Sequence, residues 1–275
     1  MPFISLRNFG FIGRYLDDGP ADAQAVLLVH GMTCDLHDWN SQVPFLLGLG
    51  YRVIAADLRG HGHSLAPTTT PGTCAEDLAA LLEDHPRVPA PVVVVSHSLG
   101  DLAGYYLAVT RPDLVRASVG VDPMHGADNA ARNATADFFD VPPPIVPKMA
   151  GYFEVTYPAD TPPWQKAWHL RRLRQLDEAV ACAVAWGRWG DPHSLGRREN
   201  ALAAFRGKRQ CPRLTIGSSE AAVDLDSCDL VRDEMDEFAV IEGNGHWFHQ
   251  IEVDKFNATL KAWLGKIGAL PASKA

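Results

Sequence analysis

Short, continuous runs of apolar residues limit most strongly how this chain can fold. Four such runs stand in its first half, at 25–29, 53–56, 91–95 and 117–121. A strand that is apolar on both faces is typical of a parallel sheet covered by helices on both sides. Helical patterns fill the intervals, at 39–47, 74–82 and 99–110. This alternation predicts an α/β fold with a mostly parallel, doubly wound sheet and right-handed crossovers.

The alternation stops between 123 and 210, where no clear strand is recognisable. This segment begins with a polar, proline-rich stretch at 129–147 and holds four of the seven tryptophans. Its helical patterns, such as 164–185, predict a helical cap inserted into the sheet-forming domain. The α/β pattern then resumes with strands at 212–217 and 237–241 and a helix at 252–267. We therefore expect a core formed by 1–122 and 211–275, with residues 123–210 as the cap.

The composition argues against several classes of function. The chain has 275 residues, of which 21% are charged, and its net charge is −8. Because no long run of lysine or arginine is present, we expect no nucleic-acid partner. No apolar run reaches the roughly 20 residues that a membrane-spanning helix needs, so we expect no membrane insertion. The five cysteines include no Cys-x-x-Cys pair and the N-terminal residues lack a signal-peptide core, which predicts a cytoplasmic protein.

The segment VVVVSHSLG at 92–100 carries the strongest indication of chemistry. In it, an all-valine strand runs directly into a serine-containing turn, and a helical pattern follows. A serine on such a sharp turn is exposed above the sheet, and small residues two positions before and after it prevent clashes. The N-terminus of the following helix also favours negative charge at the reaction centre. We therefore predict Ser98 as a nucleophile.

An attacking serine requires two backbone N–H donors for the oxyanion that forms on the carbonyl. The residue after the nucleophile, Leu99, supplies one donor in this arrangement, and the loop after an early strand supplies the other. Met32 stands at that second position, directly after His30-Gly31 and the run at 25–29. Gly31 lets the backbone turn there without a Cβ clash. We predict Met32 and Leu99 as the oxyanion donors.

A histidine on a glycine-rich loop after the last strand is the predicted base. This residue is His246, in the segment GNGHW at 243–247. Histidine titrates near neutral pH, and a serine followed much later by the histidine is the chain order of this kind of site. His249 is the nearest competitor for the role.

Two carboxylates are candidates for the acid that orients the imidazole. Asp122 stands at the tip of the run at 117–121, which is predicted to lie next to the nucleophile strand, and it is the preferred candidate. Glu220, in the loop after 212–217, is the alternative acid.

Together these segments resemble the α/β-hydrolase superfamily. The matching pieces are HGMTCDLHDW (30–39), DLRGHGHS (57–64), SHSLG (96–100), VDP (121–123) and GNGHW (243–247). The similarity is to serine esterases whose acid follows the sixth core strand, which implies Asp122 as the acid. Fungal lactonases that open macrocyclic resorcylic lactones share this placement, although with glutamate. Ser98 stands where haloalkane dehalogenases and epoxide hydrolases of this fold have aspartate, so the resemblance does not imply those chemistries.

The expected function is a serine hydrolase that cleaves a small hydrophobic carboxylic ester or lactone through an acyl-enzyme. Three alternatives are a lactonase for macrocyclic, resorcylic-type lactones, a small-molecule receptor of this fold, and a lyase with little ester turnover. Neither a metal nor an organic cofactor is expected. The residues predicted to line the substrate pocket are Gly31, Thr33, His97, Met124, Trp164, Trp186 and Trp247.

Two expectations concern charged side chains away from these positions. Asp101 replaces the second glycine that usually follows such a serine, and we expect it on the helix surface. Arg171, Arg172 and Arg174 are expected to form a solvated helix face.

Overall fold

A single sheet organises the protein. The computed structural model describes residues 3–5, 12–64, 69–84, 88–123, 125, 130, 144–220 and 234–272. Its strands there are β1 (Phe3–Ser5), β2 (Ile12–Asp18), β3 (Ala25–Val29), β4 (Arg52–Ala56), β5 (Val92–His97), β6 (Val115–Val121), β7 (Arg213–Gly217) and β8 (Glu237–Val240). They are ordered β1-β2-β4-β3-β5-β6-β7-β8 across the sheet.

The strand directions confirm the predicted fold. β2 pairs antiparallel with β1 and β4, and the pairings from β4 through β8 are all parallel. β3, β4 and β5 are buried along their whole lengths, as continuous apolar runs require. Because β5 lies between β3 and β6, the loops that follow these three strands meet at the carboxyl edge of the sheet.

Helices cover both faces of the sheet. In the described residues they are α1 (Gln42–Gly48), α2 (Pro71–Asp84), α3 (Leu99–Thr110), α4 (Val146–Thr156), α5 (Pro163–Gln175), α6 (Glu178–Ala185), α7 (Arg198–Phe205), α8 (Phe248–Ile251) and α9 (Val253–Lys266). One apolar cluster joins Leu27 to α2 and α3, and another joins its neighbour Leu28 to α1 and α9. Successive side chains of β3 thus point to opposite faces of the sheet, and the burial of each contributes hydrophobic stabilisation.

Helices α4 to α7 all lie between β6 and β7, in the segment 123–210 that we call the insertion. The pattern at 164–185 is interrupted at Asp177, where α5 has ended and α6 begins, because the Asp177 carboxylate accepts a hydrogen bond from the N–H of Ala179. Apolar residues of the insertion pack with Leu99 and Leu102 of α3 in one buried cluster. The insertion therefore lies next to the start of α3. No helix in the described part of the chain is long and apolar enough to cross a membrane.

Candidate active site

Ser98 lies on the sharp turn between β5 and α3. Its backbone has a φ of 54°, a conformation that is strained for a residue with a Cβ and that clusters at functional sites. α3 packs closely on the end of β3 because Gly100 has no side chain: a Cβ there would lie 2.2 Å from the carbonyl oxygen of His30. This close packing holds Ser98 at the carboxyl edge of the sheet.

The loop after β3 touches the serine turn directly. A Cβ on Gly31 would lie 3.2 Å from Cβ of Ser98 and 2.7 Å from Nδ1 of His97, so a glycine is needed for this approach. Met32 follows and is buried in the same apolar cluster as Leu99. Thr33 has a positive φ of 61°, and its hydroxyl donates to the Met32 carbonyl at 2.6 Å. The structure thus brings the predicted donor residues Met32 and Leu99 together beside Ser98.

Asp122 and His246 form a hydrogen-bonded pair. Nδ1–H of His246 donates to Oδ2 of Asp122 at 2.5 Å, and the N–H of Ser218 donates to Oδ1 at 2.7 Å. Burial alone raises the pKa of Asp122, but the hydrogen bond and charge of His246, together with Ser218, outweigh burial and lower that pKa overall. The carboxylate is therefore ionised at neutral pH. Glu220, the alternative acid, is exposed.

The His246 loop is tied to the serine turn by hydrogen bonds. Nε2–H of His97 donates to the carbonyl oxygen of His246 at 2.9 Å, and the two rings are 4.6 Å apart between centroids. The N–H of Ser98 donates to the carbonyl oxygen of Val121, the residue before Asp122, at 3.0 Å. Ser98, Asp122 and His246 are thus carried by three chain segments that contact one another. His249, the competing base, is fully buried, and its ring lies 4.6 Å from that of His97 between centroids.

The residues predicted to line the pocket fall into two groups. Gly31, Thr33, His97 and Trp247 are buried, and the Trp247 ring contacts that of His246 at 5.0 Å between centroids. Trp164 and Trp186 are 51% and 60% exposed. The described ring contact of Trp164 is with Trp168, and it lends no support to a place for Trp164 in an enclosed pocket. Met124 lies outside the described residues.

Asp101 corrects the expectation of a surface residue. It is fully buried, accepts a hydrogen bond from Oγ of Ser96 at 2.8 Å, and pairs with Nη2 of Arg213 at 2.9 Å. The sequence of α3 could have indicated this burial. Its residues are apolar around the whole helix, and such a helix is buried on all sides. Asp101 thus supports the serine turn through its hydrogen bond with Ser96, the small residue two positions before Ser98.

Arg172 is a second correction. It is buried rather than solvated, and its Nη1 lies 2.6 Å from Oδ1 of Asp38, which is also buried. Burial alone raises the pKa of Asp38, but Arg172 and the neighbouring histidines lower it well below its usual value. This ion pair joins the insertion to the loop after β3. The sequence does not indicate that Arg172 is buried while its neighbour Arg171 is exposed.

Comparisons with known proteins agree with this architecture. A sequence profile of the alpha/beta hydrolase family matches residues 26–258. The non-heme chloroperoxidase of Streptomyces lividans is 41% identical over 113 residues, which are 40% of this chain and 40% of that protein. The lipase LipV of Mycobacterium tuberculosis (strain ATCC 25618 / H37Rv) is 33% identical over 159 residues, or 49% of this chain and 58% of that protein. The chain thus matches less than two thirds of the length of these relatives.

A solved structure extends the similarity over nearly the whole chain. The bromoperoxidase of Bacillus anthracis superposes with a TM-score of 0.77, covering 96% of this chain and 99% of that one. The two sequences are 20% identical, so this similarity establishes the fold.

Proposed function

The chain belongs to the alpha/beta hydrolase family, and from this premise we propose that it is a serine hydrolase acting on carboxylic ester bonds. The observation that carries the proposal is the hydrogen bond between His246 and Asp122, next to a serine on a strained turn. A carboxylate at Nδ1 leaves Nε2 of the imidazole as the proton acceptor, which is the tautomer that a general base needs.

The proposed reaction is acyl transfer in two steps. Oγ of Ser98 attacks the ester carbonyl while His246 takes its proton, and the N–H groups of Met32 and Leu99 stabilise the oxyanion. The tetrahedral intermediate then collapses, the carbon–oxygen bond to the alcohol breaks, and His246 returns the proton to the leaving alcohol. In the second step His246 deprotonates a water molecule, which attacks the carbonyl of the acyl-enzyme. The bond from that carbon to Oγ of Ser98 then breaks, His246 returns the proton to Oγ, and the carboxylic acid is released. Asp122 remains ionised and stabilises the imidazolium in both steps.

A small hydrophobic ester or lactone is the proposed substrate class. Met32 and Leu99 share their buried cluster with Met149, Phe153 and Trp247, so the groups around the proposed oxyanion site are apolar. A lactone is a cyclic ester and would react by the same steps, which keeps a macrocyclic lactone within the proposal. We propose that the insertion, residues 123–210, acts as a cap on this site.

Hydrolysis of p-nitrophenyl acetate and p-nitrophenyl octanoate by the wild type and by Ser98→Ala tests the reaction type. We expect turnover by the wild type that is lost in Ser98→Ala, and labelling of the wild type alone by a fluorophosphonate. Ser41→Ala is the matched control, since that hydroxyl makes no capping hydrogen bond at the start of α1. Equal turnover or equal labelling in Ser98→Ala would refute the nucleophile. A series of small-ring and macrocyclic lactones, assayed by acid release, then distinguishes an esterase from a lactonase.

A further inference from the structure

A compact group of ionisable side chains lies beneath the candidate active site. Asp38, His97 and His249 come from the loop after β3, the end of β5 and α8, and their exposed fractions are 2%, 1% and 0%. Oδ2 of Asp38 is 3.7 Å from Nδ1 of His97 and 4.0 Å from Nε2 of His249. One ligand atom from each residue lies within 4.8 Å of the other two. The proposed mechanism gives none of these side chains a chemical step.

The facing atoms in this group have no hydrogen-bond partner among the described residues. They are Oδ2 of Asp38, Nδ1 of His97 and both ring nitrogens of His249. A buried polar atom without a partner is costly, and several that converge on one point indicate that something is bound between them.

The surrounding hydrogen bonds engage the other polar atoms of Asp38 and His97 and leave the converging atoms available. Nε2–H of His97 donates to the carbonyl oxygen of His246, so Nδ1 is the ring nitrogen that faces Asp38. Oδ1 of Asp38 accepts from Arg172 at 2.6 Å and from Gln250 at 2.7 Å, which leaves Oδ2 free to bind. Nε2 of His249, which lies 4.0 Å from Oδ2 of Asp38, faces the same point.

We propose that Asp38, His97 and His249 bind a divalent transition-metal ion of the Zn²⁺ type. Two histidines and one carboxylate are a common ligand set for such ions, whose ligand atoms lie about 2.0–2.2 Å away. Two atoms bound to one ion are therefore at most about 4 Å apart. The separations of 3.7 and 4.0 Å from Asp38, and a separation within 4.8 Å between the two histidine nitrogens, come into this range when the side chains rotate towards the ion.

The outer contacts also fit a metal ligand set. A ligating histidine usually donates its second N–H to a carbonyl, and a ligating carboxylate is usually hydrogen-bonded through its other oxygen. His97 and Asp38 have these contacts. Arg172 offsets the charge of Asp38 from the far side of that carboxylate, so we expect a weaker site than one with an unpaired aspartate. A bound ion would tie together the loop after β3, the serine turn and the segment after His246.

Metal content and unfolding test this site without measuring activity. The full-length protein would be incubated with ZnCl₂, dialysed and analysed by mass spectrometry, and its thermal unfolding would be followed with and without EDTA. We expect about one equivalent of zinc, an unfolding midpoint lowered by several degrees in EDTA, and recovery on re-addition of zinc. Co²⁺ loading should produce the visible absorption bands of a four- or five-coordinate ion.

Three variants make the result specific. His249→Phe keeps an aromatic ring against Trp39 but removes both nitrogens, and His249→Gln serves if that variant does not fold. Both should retain less than one tenth of the zinc, whereas His193→Ala, which removes an exposed histidine, should retain all of it. Ser98→Ala should also bind one equivalent, because the site is independent of the proposed acyl transfer. Absence of zinc and of any EDTA effect in the wild type, or equal zinc in the His249 variants, would overturn the proposal.

Discussion

Nδ1 of His246 lies 2.5 Å from Oδ2 of Asp122, although 124 positions separate the two residues in the chain. The contact depends on the sheet order, because β6 must lie next to β5 for Asp122 to reach the end of the sheet where Ser98 stands. It also depends on the His246 loop, whose backbone His97 holds. The acid and the serine are thus positioned by the ends of neighbouring strands, and the base by the loop that follows β8.

The identity of the acid leads to the first prediction. Asp122→Asn should lower kcat by roughly 10³- to 10⁴-fold, because an amide neither favours the required tautomer nor stabilises the imidazolium. Glu220→Gln is the matched control and should leave kcat unchanged, since Glu220 is exposed. The measurement is kcat on a p-nitrophenyl ester, with circular dichroism as the test of folding. Loss of activity in Glu220→Gln but not in Asp122→Asn would reverse the assignment.

A second prediction concerns the space between Gly31 and the serine turn. Gly31→Ala should lower kcat by about 10²- to 10³-fold, the cost of losing one oxyanion donor, because its Cβ would displace Ser98, His97 or the Met32 N–H. Gly48→Ala adds the same methyl group where nothing lies within 4 Å, so it should leave kcat unchanged. Wild-type kcat in Gly31→Ala would show that this loop is not part of the oxyanion site.

The buried ion pair between Arg172 and Asp38 supplies a third prediction. Arg172→Met should lower the free energy of unfolding by about 3–5 kcal/mol, because it leaves the Asp38 carboxylate buried without its cation. The double variant with Asp38→Asn should lose less than the sum of the two single variants. Arg171→Met, on the exposed side of α5, should stay within about 0.5 kcal/mol of the wild type. Urea unfolding of all four variants provides the cycle, and strict additivity would contradict the ion pair.

The fourth prediction is a dependence of stability on pH. Burial, assisted by the charge of Arg172, lowers the pKa of His169 to about 3 from the usual 6.5. Between these values the unfolded chain binds a proton that the folded protein does not. The stability contribution is therefore complete above pH 6.5 and is lost as the pH falls towards 3.

His169→Gln should consequently reduce the slope of unfolding free energy against pH below 6.5, by up to about 1.4 kcal/mol per pH unit. His193→Gln is the control, because His193 is exposed and the slope should not change. Urea unfolding between pH 4.5 and 7.5 measures both. A slope that is the same in His169→Gln and the wild type would show that His169 does not take up a proton on unfolding in this range.

Several strands and helices could be predicted from local pattern alone. The helix at 99–110 agrees with α3 at both ends, and the runs at 25–29 and 53–56 agree with β3 and β4 within one residue. Their continuous apolar character also predicted a parallel sheet, because only strands covered on both faces need it. The break within 164–185 was not predicted, since the capping role of Asp177 depends on how the chain bends there.

The sequence by itself determined the elements, their order, the serine turn with its small neighbours, and the short set of candidates that included Ser98, Asp122 and His246. These follow from side-chain size and periodicity over a few residues. Only the tertiary structure decided that Asp122 meets His246, that Asp101 and Arg172 are buried in ion pairs, and that Asp38, His97 and His249 converge. Each of these contacts depends on which segments become neighbours in the fold and on which way a side chain points. A local sequence pattern contains no information on either, because the residues in contact lie far apart in the chain.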